Sequence, residues 1–82
     1  MTLYFDFEDK RRTAEVTWPQ GSGTIQVTLR DKELLKKLPA DIIFDLNKRN
    51  KVSFIEESPD NERLIQLQEA INKKLQELVN QL

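Results

Sequence analysis

The chain has no cysteine and no histidine among its 82 residues. Without cysteine no disulfide can staple a small core, and without either residue the common zinc-ligand sets cannot be assembled. The same absences remove Cys–His and Ser–His–Asp nucleophiles and the usual acid–base group near neutral pH. Glycine is scarce too. Gly21 and Gly23 are the only two, and both fall in one short stretch, so neither a Walker loop nor a dinucleotide fingerprint is present. No apolar run approaches the roughly 18 residues of a membrane span. The opening Met1-Thr2-Leu3-Tyr4-Phe5-Asp6 lacks the charged start and apolar run of a signal peptide. These absences lead us to expect a cytoplasmic protein with no cofactor, no metal and no small-molecule substrate.

An excess of one charge is also missing. Lys and Arg number 13 and Asp and Glu number 14, for a net charge of −1, which is not the basic footprint of a strong nucleic-acid binder. The length suits one domain, residues 1–82. In a chain this short, apolar burial barely offsets conformational entropy. With no staple, either a well-packed core or self-association must supply the margin.

What is present is clear alternation. Leu3, Phe5 and Phe7 alternate with Tyr4, Asp6 and Glu8. Ala14, Val16 and Trp18 alternate with Thr13, Glu15 and Thr17, and Ile25, Val27 and Leu29 alternate with Thr24, Gln26, Thr28 and Arg30. Three strands with one apolar face each predict an antiparallel meander wet on the other side. Asp9-Lys10-Arg11-Arg12 reads as a four-residue hairpin loop and Pro19 to Gly23 as a turn. The matching registers set Phe7, Phe5 and Leu3 opposite Ala14, Val16 and Trp18, which in turn face Leu29, Val27 and Ile25.

Asp31 to Leu38 reads as a short helix capped by Asp31 and stopped by Pro39, crossing from one part of the sheet to another. Residues 40–46 fit either strand or helix. Ile42, Ile43 and Phe44 favour strand, with a second hairpin turning at Asn47-Lys48-Arg49-Asn50. Its register pairs Leu46 with Val52 and Phe44 with Phe54, and on the reverse face Ile43 with Ile55. Beyond it, Ser58 as N-cap and Pro59 at the first helical position open a long helix. Leu64, Leu67, Ile71, Leu75, Leu78, Val79 and Leu82 share its apolar arc, which Gln68 interrupts and Ile65 misses. Residues 59–81 would span roughly 34 Å, against a domain diameter of about 30 Å, so the helix end is expected to overhang the sheet. The fold class is α+β: an antiparallel sheet covered on one face by a long C-terminal helix, with a short helix between.

Three chemistries follow. Ile43 and Ile55 on the outer face, with Leu78, Val79 and Leu82 at the helix end, suit contact with another chain; Gln68 at an a position of a heptad frame is a known register device. The expected function is therefore a non-catalytic interaction module, a homo-oligomer or a partner of another protein. The alternative is a weak single-stranded nucleic-acid binder. It would use Lys10, Arg11 and Arg12 at one hairpin tip and Lys48, Arg49 and Lys51 at the other, with Tyr4 as a stacking platform. Last, Glu8 and Glu15 could lie together on the polar sheet face, as carboxylate hydrolysis or cation binding requires, but so small a layer pair leaves little volume for a pocket. No catalytic residue is assigned.

Overall fold

The computed structural model describes residues 1–54 and 61–81. Five strands, β1 (Thr2–Phe7), β2 (Lys10–Thr17), β3 (Gly23–Leu29), β4 (Asp41–Leu46) and β5 (Val52–Phe54), pair in chain order as one antiparallel sheet. The short helix α1 (Lys32–Leu35) joins β3 to β4 and the long helix α2 (Glu62–Asn80) ends the described chain. Burial alternates along every strand of the meander, as the sequence pattern requires. The buried rows meet α2 in one core that includes Leu3, Phe5, Val16, Ile25, Val27, Phe44, Leu67, Ile71 and Leu75. The sheet curls so that α2 approaches both edge strands, β1 and β5.

The registers of β2 with β3 and of β4 with β5 are the expected ones. Ala14 faces Leu29 and Val16 faces Val27, though the ladder stops at Thr17 and Gln26, short of the expected Trp18–Ile25 pair. Leu46 faces Val52 and Phe44 faces Phe54, whose rings meet edge to face at 6.5 Å. Residues 41–46 are strand, not helix. Ile43 is half-buried on the outer face, and its expected partner Ile55 lies outside the described residues.

The first hairpin differs. It turns through Glu8 and Asp9 alone, both left-handed at φ 55° and 60°, the two-residue loop whose twist matches its strands. Leu3 therefore faces Ala14, Phe5 faces Arg12 and Phe7 faces Lys10, a shift of four residues from the expected register. Four is an even number, so no side chain changes face. The shorter loop lengthens the ladder to include residues 10–12, which moves Arg12 from a predicted loop tip onto the core face.

Helix α1 takes Asp31 as its cap, as expected, with the carboxylate accepting from the Glu33 and Leu34 amides. It bridges two adjacent strands rather than crossing the sheet. Helix α2 begins later than predicted. Asn61 caps it, accepting from the Leu64 amide, while Ser58 and Pro59 lie outside the described residues. Its 19 residues span about 28 Å at 1.5 Å each, shorter than the roughly 34 Å expected. Val79 is buried, and Leu78 packs partly buried against the core. No described helix is long and apolar enough to cross a membrane.

Candidate functional site

Antiparallel order sorts the connections to two ends of the sheet. The β1–β2 turn, α1 and the start of α2 form one end; the β2–β3 and β4–β5 turns and the end of α2 form the other. The two basic clusters are thereby separated. Lys10, Arg11 and Arg12 sit at the first end, Lys48, Arg49 and Lys51 at the second, and no single groove unites them. Glu8 and Glu15 part for the same reason: Glu8 sits in the turn, whereas Glu15 faces Thr2 at the far end of β1, roughly 20 Å away at 3.3 Å per residue.

At the first end Arg12 is the centre of an ion cluster. Its side chain is 3% exposed. Nε donates to the Phe7 carbonyl at 3.2 Å, one terminal nitrogen to both Asp31 oxygens at 3.3 Å and the other to Glu33 at 3.1 Å. Glu33 also receives Lys10 at 3.1 Å, and Glu8 receives Arg63 of α2 at 2.7 and 3.0 Å. Burial opposes the charge on Arg12, yet the hydrogen bonds and charges of Glu33 and Asp31 outweigh it and raise its pKa. Burial also pushes the Asp31 carboxyl up, but the Leu34 amide and Arg12 pull it below its ordinary value. Glu33 is lowered by Lys10 and then Arg12, and Glu8 chiefly by Arg63. Three cations thus meet three carboxylates, tying the first hairpin to both helices.

The two sheet edges are treated differently. On β5 the Val52 amide donates to Gln76 Oε1 at 2.8 Å, and Gln76 Nε2 donates to the Asn50 carbonyl at 2.8 Å. One side chain of α2 thereby stands in for a neighbouring strand. On β1, Met1 and Val16 exchange both backbone bonds, at 2.7 and 2.9 Å. By alternation Leu3, Phe5 and Phe7 bond to β2, and the amides and carbonyls of Thr2, Tyr4 and Asp6 point outward. Among the described residues no strand covers them. Tyr4 is 54% exposed beside this edge, and a hollow of about 260 Å³ separates the edge from Ala70, Lys73, Lys74 and Glu77 of α2.

At the second end the space between the turns and the end of α2 opens into a cavity of about 720 Å³. Trp18, Pro19, Leu46, Leu78 and Val79 form its apolar wall. Trp18 is half-buried, and its indole N–H meets the Met1 sulfur at 3.0 Å. So small a layer pair was expected to leave little volume for a pocket, yet the space between the turns and the end of α2 supplies it. Of the residues singled out for contacts, Val79 and Leu78 line this cavity and Ile43 lies on the outer face, while Ile55 and Leu82 fall outside the described residues. No group of acidic side chains suited to a metal ion occurs among the described residues.

Sequence reasoning missed Arg12 as a core residue and the contrast between the two edges. The first had a signal, since Arg12 is in phase with Ala14 and Val16. The second had none, since Gln76 meets β5 only through the fold. No family model, curated protein or solved structure matches this chain.

Proposed function

We propose that the chain is a non-catalytic interaction module that self-associates by pairing the open edge of β1 with the same edge of a second copy. The observation that carries this reading is the row of outward backbone groups at Thr2, Tyr4 and Asp6 on a regular six-residue strand, beside a second edge that Gln76 covers. Proteins usually blunt a long edge with lysine, proline or a bulge, and β1 has none of these. Its sequence is also self-complementary. Antiparallel pairing about a two-fold axis at Tyr4 sets Tyr4 against its own copy and Thr2 against Asp6. Each opposed pair exchanges two ladder bonds, a hydroxyl meets a carboxylate, and no like charges are opposed. Lys73, Lys74 and Glu77 on the flanking helix face offer both signs of charge to the copy.

The non-catalytic part rests on the carboxylates. Glu8, Asp31 and Glu33 are each engaged by cations, and Glu8 and Glu15 lie at opposite ends of β1. The chain has no histidine or cysteine to complete an acid–base or nucleophile set.

Sedimentation velocity on wild type and Tyr4→Pro tests the interface. Proline removes an outward amide and no bond to β2, the edge position where it is tolerated. Wild type is expected to run as a dimer at tens of micromolar and Tyr4→Pro as a monomer with unchanged Trp18 emission. A monomeric wild type refutes the proposal, and so does a folded Tyr4→Pro dimer.

A further inference from the structure

The apolar cavity at the end of α2 is lined by Met1, beside the start of β1, but not by Thr2, Tyr4 or Asp6, and its chemistry selects a different occupant. We infer that it binds a small amphipathic carboxylate, an alkyl body with one anionic head. Three observations carry this. The volume of about 720 Å³ falls within the range of small-molecule sites, roughly 300–1,000 Å³. The wall is Trp18, Pro19, Leu46, Leu78 and Val79, so an alkyl chain loses no hydrogen bond on entering. The one charged side chain among the described lining residues is that of the exposed Lys48.

The charged groups of the lining residues are the Lys48 side chain and the Met1 ammonium, the latter paired with Glu15 at 3.0 Å. Arg49 and Lys51 flank Lys48 on the same turn, and the opposite turn, Val16 to Thr24, carries no charge at all. A carboxylate would meet Lys48, with Arg49 and Lys51 beside it in the chain, and no acid from either turn. The end of α2 works the other way, since a helix C-terminus carries partial negative charge. Part of that charge is quenched, because the Gln81 amide donates to the Leu78 and Val79 carbonyls. The head therefore belongs on the Lys48 side of the cavity and the alkyl tail against Leu78 and Trp18.

Trp18 is the chain's single tryptophan, so its emission reports occupancy directly. Decanoate, decylammonium and 1-decanol are titrated against the 82-residue chain. Decanoate is expected to shift Trp18 emission saturably and to bind at least about two-fold more tightly than decylammonium or decanol. Lys48→Gln, an exposed change, should weaken decanoate about two- to five-fold, the worth of a partly exposed ion pair, and leave decanol unchanged. No saturable shift, or equal binding of all three probes, overturns the inference. So does binding that appears only in Leu82→Ser, which would assign the cavity to the chain's own terminus. The oligomeric state of the protein does not enter these outcomes, so the inference and the proposed function fail separately.

Discussion

Replacing Arg12 by methionine separates the two things this residue does. The methylene stem fills space on the core face, and the guanidinium holds Asp31, Glu33 and the Phe7 carbonyl. Methionine keeps most of the stem's volume and deletes the charge. A hydrogen bond to a charged group contributes about 1.5–3 kcal/mol when buried. Here the donor distances are long for charge-assisted bonds, 3.1–3.3 Å. The acceptors are also partly wet, with Asp31 at 19% and Glu33 at 50% side-chain exposure, so water replaces much of what is lost. A net loss of about 2 kcal/mol follows for Arg12→Met, against about 3–5 kcal/mol for Arg12→Ala, which forfeits the stem as well. Urea unfolding followed by Trp18 fluorescence gives both values.

Acid titration adds a second readout. The pKa values of Asp31 and Glu33 are depressed in the folded state. Their contribution is therefore present above the unfolded values, about 4, and is lost as pH falls through the lower folded values. The gap between wild type and Arg12→Met should accordingly shrink below about pH 4. A gap that persists undiminished in strong acid, or a loss below about 0.5 kcal/mol for Arg12→Ala, would show that Arg12 is not the buried centre of this cluster.

Two further variants probe the edge and the turn. Gln76→Ala should cost about 1–2 kcal/mol, since a part-buried amide and a carbonyl lose their partner. It should also increase aggregation by baring the β5 edge, measured by unfolding and by light scattering; unaltered stability would mean that Gln76 does not close that edge. Gly23→Ala should cost about 1–2 kcal/mol. The glycine sits at φ +143°, and an added Cβ would approach Pro19 Cβ at 3.3 Å, so an unchanged urea midpoint would contradict the turn geometry.

Much of the fold is legible in the residues. Apolar alternation identified three strand faces, and the helical arc of Leu64, Leu67, Ile71, Leu75 and Val79 identified the covering face of α2, where all five are buried. The β4–β5 register was readable because turn length and aromatic matching agreed on Phe44 and Phe54. The first hairpin was not, because apolar residues at every second position match in either register. Its true loop, Glu8-Asp9, also carries none of the glycine or asparagine that usually marks a left-handed turn. The candidate sites were less legible than the fold. Leu78 and Val79 were noticed as apolar, but only packing shows them lining a cavity.

The sequence alone determined which side of each strand and helix is apolar, because period-2 and period-3.6 patterns are properties of the local chain and survive any even slip of register. Tertiary structure alone decided which rows meet, which edge is closed and where a cavity opens. Those depend on energies between residues far apart in the chain: Arg12 with Asp31 and Glu33, Gln76 with Val52 and Asn50, and Trp18 across from Leu78. No window of neighbouring residues contains both members of such a pair.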